Sequence, residues 1–216
     1  MTKNKVYIYK SFERFWHWMQ TLLILFLILT GFEIHGSYEF FGFEKAVDYH
    51  NIAGIALIVL VIFAIFWHLT TNEWRQYLPT IKNLRVQLNY YIFGIFKNAP
   101  HPHRKTQLSK LNPLQKLVYF GLKILVIPIV GVTGLLYLYY RYPQEEGIAS
   151  INISGLETVA LLHTIGAFLI VAFLIAHLYL ITTGQTNTSN LKAMITGYEE
   201  LEKDDENKSD AKNTIE

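Results

Sequence analysis

Charged residues vanish from long stretches of this chain at four places. Residues 15–32, 49–71 and 158–182 carry no Asp, Glu, Lys or Arg, and residues 117–140 carry only Lys123. Roughly 20 predominantly apolar residues of helix span a hydrocarbon core of about 30 Å, so each stretch predicts a transmembrane helix. Lys123 sits near the start of the third span, where its amine can snorkel to the headgroups, and Pro128 predicts a kink further in. The first span is as long as a full crossing and no small-residue cleavage site follows it, so it reads as a permanent helix and not a secretory signal. The expected fold is an all-α membrane protein, a four-transmembrane-helix bundle over residues 1–198. Residues 199–216 form an acidic tail (Glu199, Glu200, Glu202, Asp204, Asp205, Glu206) without an apolar face, expected to be disordered and cytoplasmic.

Composition supports the membrane reading: 51% of the 216 residues are hydrophobic and 17% charged. The net charge of +2 says little about partners, and no nucleic-acid partner is expected. The distribution of charge says more. Lys3, Lys5, Lys10 and Arg14 precede the first span, and Arg75, Lys82, Arg85, Lys97, Arg104, Lys105, Lys110 and Lys116 lie between the second and third. The other two loops hold Lys45 and Arg141. The positive-inside rule then places both termini and the central loop in the cytoplasm, and the two short acidic loops outside. Trp74, Tyr77, Tyr90, Tyr91, Phe93 and Phe96 interleave with the basic residues of that loop, as in a segment lying against the headgroups. Thr-Gly recurs at Thr30-Gly31, Thr133-Gly134 and Thr183-Gly184, a recurrence that chance suffices to explain.

The chain has no cysteine. That excludes disulfides, thiolate zinc sites, iron–sulfur clusters and covalently attached haem, and leaves histidine, methionine or oxygen as ligands for any redox cofactor. Of eight histidines, six (His17, His35, His50, His68, His163, His177) fall in or at the ends of the spans, where ionisable groups are costly and usually functional. His163 and His177 are 14 residues apart, which returns to within about 40° of one helix face and separates them by about 21 Å. One face thus offers a ligand near each membrane surface, and a haem iron bound by two imidazoles asks for a partner at matching depth on a facing helix. His17 is level with His177, and His50 with His163. Pairing the fourth span with both His50 and His68 instead leaves a depth mismatch of about 6 Å unless the helices tilt differently. His35 and His68 then become interface residues or neighbours of haem propionates. Gly31, Gly54 and Gly166 can let a flat cofactor approach the backbone, or simply allow close helix packing.

Arg14-Phe15-Trp16-His17-Trp18, Tyr49-His50-Asn51-Ile52-Ala53-Gly54, Leu162-His163-Thr164-Ile165-Gly166 and Ile175-Ala176-His177-Leu178-Tyr179 together resemble a known family. It comprises the di-haem cytochrome b membrane subunits of respiratory formate dehydrogenases, nickel-iron hydrogenases and thiosulfate-type reductases, within the bacterial cytochrome b-561 superfamily. The resemblance spans residues 14 to 198. It implies two non-covalent b-type haems between the helices, the inner iron held by His17 and His177 and the outer by His50 and His163. It also implies a quinone pocket near the inner haem, where Asn112 and Gln115 of Asn112-Pro113-Leu114-Gln115 stand. By that resemblance the chain moves electrons across the membrane between a periplasmic catalytic or electron-transfer subunit and the quinone pool, and does not transform the final substrate itself. A stand-alone quinone oxidoreductase of the same superfamily, and a haem-free transporter or anchor whose histidines relay protons, are the rival expectations.

Overall fold

A computed structural model describes residues 3–97, 99, 102, 110–141, 156–184 and 186–202. His101, His103, Lys105 and the tail beyond Glu202 lie outside them.

Four long apolar crossings make up the body, as the charge pattern predicts: α1 (Ser11–Ile34), α2 (Phe43–Thr71), a third crossing built from α4 (Pro113–Gly121) and α5 (Ile127–Arg141), and α6 (Leu156–Ile181). They pack as neighbours, α1 on α2 and α5 on α6, with α2 also meeting α5. Ala46, Ala53 and Ala64 form the buried face of α2, where small side chains let helix backbones approach. Leu22, Ile62, Phe66 and Ile175 point outward instead, an apolar exterior suited to lipid. The chain is a multi-pass membrane protein.

Pro128 acts through the turn before it. A proline has no N–H to give the carbonyl one turn back, and the third crossing absorbs the loss in a wide π-turn at Leu122–Val126, between α4 and α5. The segment after α2 is not plain loop: a 3₁₀ turn at Glu73–Tyr77 precedes α3 (Leu84–Asn89), and the chain then continues through a π-turn at Tyr90–Gly94. Val86, Leu88, Ile92, Phe93 and Phe96 stand exposed on this stretch, as an interfacial segment requires.

The expected boundary at residue 198 needs correction. After α7 (Ser189–Thr196), Tyr198–Glu202 forms β2, paired antiparallel with β1 (Lys3–Tyr7), so the first four residues of the supposed tail are ordered backbone. The register sets Lys3 opposite Glu202 and Lys5 opposite Glu200, and the opposite charges of Lys5 and Glu200 favour that pairing. Gly197, at φ 87°, turns the chain from α7 into β2, and its carbonyl accepts from the N–H groups of Ile8 and Tyr9. Arg14 is committed to the same corner: Nη1 donates to the Ile195 carbonyl at 2.7 Å, where a cation also suits the C-terminal end of α7. Arg14 is therefore a clamp on α7. The end of the bundle that carries this two-stranded sheet is called the sheet side below, and the opposite end the far side.

Candidate functional site

The four candidate histidines meet in two pairs. On the sheet side the rings of His17 (α1) and His177 (α6) have centroids 6.3 Å apart, and on the far side His50 (α2) and His163 (α6) are again 6.3 Å apart. This is the combination matched depth favours. The separation is informative: two imidazoles sharing one metal ion need two metal–nitrogen bonds of about 2 Å each, plus roughly 1 Å from nitrogen to centroid on either side. Among the described residues no three of His, Cys, Asp and Glu converge, so neither pair belongs to a metal-ion cluster. Two ligands per site suit a metal whose other positions a macrocycle fills.

Far-side hydrogen bonding fixes the tautomers. Thr30 Oγ1 lies 2.9 Å from the Phe26 carbonyl and 2.9 Å from His50 Nδ1. Because a hydroxyl has one proton, donating it to the carbonyl leaves its oxygen to accept Nδ1–H. Thr133 repeats this on α5, with Oγ1 at 2.6 Å from the Ile129 carbonyl and 3.0 Å from His163 Nδ1. The Val130 carbonyl, which can only accept, stands 3.2 Å from the same nitrogen. Protons on Nδ1 leave both Nε2 atoms as lone-pair donors, the arrangement typical of metal-binding histidine. Each ring lies against the glycine after its threonine: a Cβ on Gly134 would meet His163 Cε1 at a tight 3.3 Å, and one on Gly31 would meet His50 Cε1 at 3.4 Å, ordinary contact.

The Thr-Gly recurrence therefore has a structural reason at two of its three occurrences, and Thr30 and Thr133 are candidate site residues that the reading by chance missed. Thr183-Gly184 abuts Ser189 and Asn190 instead. Gly31 touches the site through the His50 ring. Gly54 leaves open space one turn from His50, whereas Gly166 faces the Val130 side chain and serves the close packing of α5 on α6.

The sheet-side pair is held differently. His17 Nδ1 is buried without a hydrogen-bond partner, and His177 Nδ1 has the Tyr119 hydroxyl at a long 3.4 Å. Phe173 stacks on His177 and Trp18 meets His17 edge-on. Next to the pair lies a charged network: Lys110 Nζ donates to both Glu13 oxygens at 2.7 and 2.9 Å, Lys10 Nζ donates to Glu73 at 2.6 Å, and Lys110 is 3.6 Å from Glu73. Burial alone would raise the Glu73 carboxyl, but the hydrogen bond from Lys10 and the charges of Lys110 and Lys10 hold it below its ordinary value. Burial pushes the Tyr77 hydroxyl up. Lys123 reaches from the third crossing to the turn after α2: its ammonium sits over the Tyr77 ring at 3.2 Å from the centroid and 4.9 Å from that of Trp16.

His68 and His35 stay outside the pairs. His68 Nδ1 donates to the Ala64 carbonyl at 2.6 Å, Nε2 faces the Tyr77 hydroxyl at 3.4 Å, and its ring neighbours are Trp16, Trp67 and Tyr77. His35 is exposed at the end of α1. Asn112 and Gln115 form a reciprocal helix cap. Asn112 Oδ1 accepts from Gln115 N at 2.8 Å, Gln115 Oε1 accepts from Asn112 N at 3.0 Å, and Asn112 Nδ2 donates to Tyr91 Oη at 3.0 Å.

A bundle of four crossings with one histidine pair toward each end is the architecture of a membrane b-type cytochrome. The chain belongs to the prokaryotic cytochrome b561 family, whose pattern it matches over residues 8–197. It is 30% identical over 202 residues to the putative cytochrome YdhU of Escherichia coli K12, covering 90% of this chain and 75% of that one. It is 25% identical over 228 residues to a probable Ni/Fe-hydrogenase B-type cytochrome subunit of Rhodobacter capsulatus, covering 94% and 84%. A probable Ni/Fe-hydrogenase 1 B-type cytochrome subunit of Escherichia coli K12 is 22% identical over 227 residues, covering 89% of each. Membership of this family implies haem b and a role in electron transport.

Proposed function

We propose that this chain is the cytochrome b subunit of a bacterial respiratory oxidoreductase, transferring electrons across the inner membrane between a periplasmic partner subunit and the quinone pool. The observation that carries the proposal is the pair of equal 6.3 Å separations, His17–His177 and His50–His163, one toward each end of the bundle. Each pair would hold one b-type haem, which supplies one-electron redox chemistry; with two imidazoles on the iron, no coordination position is left for substrate. Thr30 and Thr133 orient the far-side imidazoles, Gly31 and Gly134 make room for them, and Gly54 leaves open space beside His50.

The positive-inside rule makes the sheet side cytoplasmic and the far side periplasmic. A catalytic partner is supported by relatives named as hydrogenase cytochrome subunits, and by a chain without cysteine, hence without thiolate-bound metal or clusters of its own. Asn112 and Gln115 remain the proposed edge of a quinone pocket. Their oxygens are used in the helix cap, so the Gln115 amide N–H₂ is the group left to meet a quinone oxygen. The test is a dithionite-minus-oxidised spectrum of the purified chain with pyridine-haemochrome quantitation. Two b-type haems per chain are expected. None after haem-replete expression would sink the proposal in favour of a haem-free transporter or anchor.

A further inference from the structure

The stretch from Leu78 to Lys97 wears its polarity inside out. In α3 the polar Gln87 is buried at 1% exposure, and α3 packs on α4. Tyr91, in the π-turn that follows, accepts the Asn112 amide N–H at its hydroxyl. What faces outward is apolar: Val86, Leu88, Ile92 and Phe93 are exposed, and Ile81 and Phe96 keep 87% and 77% of their surface. A water-facing helix buries its apolar stripe and shows its polar one, so a stretch that does the reverse calls for apolar surroundings. Those surroundings are the bilayer, because α2 ends at Thr71 and the third crossing begins at Pro113, which ties both ends of the stretch to the membrane surface.

Charge narrows the kind of lipid. Ile81-Lys82, Arg85-Val86 and Phe96-Lys97 each set an exposed cation beside an exposed large apolar residue. Among the described residues no carboxylate lies within 4.0 Å of Lys82, Arg85 or Lys97, and no Asp or Glu occurs in the sequence between Glu73 and Glu145. The apolar member of each couple suits the acyl boundary, and the cation on its flexible stem suits the phosphates above it. We infer that residues 78–97 form a binding surface for anionic phospholipid, with Lys82, Arg85 and Lys97 as the groups that meet the headgroup phosphates. Zwitterionic lipid alone satisfies the apolar face and leaves the three cations without counter-charge. The surface also bears on the sheet side, since the stretch starts just after the turn that carries Glu73 and Tyr77 and leans through α3 on the start of the third crossing. It goes beyond the electron-transfer reading and does not rest on it.

The chain has no cysteine, so single cysteines can carry a bimane label on the full-length protein in nanodiscs. Phe93→Cys reports on the stretch, and Ile62→Cys, exposed within α2, reports on ordinary lipid contact. The comparison is between phosphatidylcholine nanodiscs holding equal shares of brominated phosphatidylglycerol or of brominated phosphatidylcholine. Bimane at position 93 is expected to be quenched at least about twofold more by the brominated phosphatidylglycerol, and bimane at position 62 equally by both. Lys82→Gln, Arg85→Gln and Lys97→Gln introduced together should bring the two lipids level at position 93. Salt at about 1 M should narrow the difference in the same way, and it decides the matter without relying on the folding of the triple variant. Equal quenching by the two lipids with Lys82, Arg85 and Lys97 in place overturns the inference, as does a preference that survives the triple substitution. Quenching at position 93 by aqueous iodide in place of either lipid overturns it in favour of a stretch open to a soluble partner.

Discussion

The two histidine pairs share a separation and little else. On the far side each Nδ1 has a threonine hydroxyl, each ring lies against a glycine, and both threonines are anchored to their own helix carbonyls. On the sheet side His17 Nδ1 has no partner, His177 has only a long contact to Tyr119, and the surroundings are aromatic rings and a lysine–glutamate network. The far-side site is held by hydrogen bonds between neutral groups of neighbouring helices. The sheet-side site is fixed by packing and by charges contributed from the N-terminal arm, the 3₁₀ turn and the start of the third crossing.

The largest expected effects come from the ligands. His50→Ala or His163→Ala is expected to remove one haem from the reduced spectrum and leave the other, while His17→Ala or His177→Ala removes the complementary one. Loss of either haem from a variant of His68 or His35 would break the two-pair assignment. Next in size is Glu13→Gln. Removing one charge of a buried ion pair typically costs about 3–5 kcal/mol because the partner stays buried and uncompensated. Glu73, 3.6 Å from Lys110, cushions that loss, so the lower end is expected. Followed as heat-induced bleaching of the two haem bands, the sheet-side haem should leave first. Simultaneous loss would show that the network stabilises the whole bundle and that the contrast between the two ends is overdrawn.

The crossings were legible because charge-free runs of this length have few other uses, and the family was legible because four short histidine motifs fall in the right order. Helix rise favoured the pairing, since His163 and His177 on one helix ask for partners at two depths. What stayed hidden involved contacts across the sequence. Nothing local in Glu199–Glu202 announces a strand, since its partner is Lys3–Tyr7 at the other end of the chain. The alternation of lysine in one segment with glutamate in the other was the available clue. The rings that hold Lys123 were hidden for a similar reason, since they arrive from α1 and from the turn after α2. The Thr-Gly repeat was visible, but its meaning depended on which helix faces which histidine.

That repeat supplies the smallest and sharpest prediction. Thr30→Val and Thr133→Val preserve shape and remove only the hydroxyl that accepts Nδ1–H. Partners of this kind are typically worth about 10–100-fold in metal affinity. Each ring also keeps a backbone carbonyl of the neighbouring helix as a second acceptor, Val130 at 3.2 Å for His163 and Leu27 for His50. Both variants should therefore weaken far-side haem binding toward the lower end of that range, measured by competition with a haem-accepting apoprotein. On the sheet side Tyr119→Phe should change haem retention little, because the bond it deletes is already 3.4 Å long. If Tyr119→Phe released its haem faster than either threonine variant, the ranking of the two ends would invert. The sheet-side pair would then be the one that depends on its hydrogen bonds.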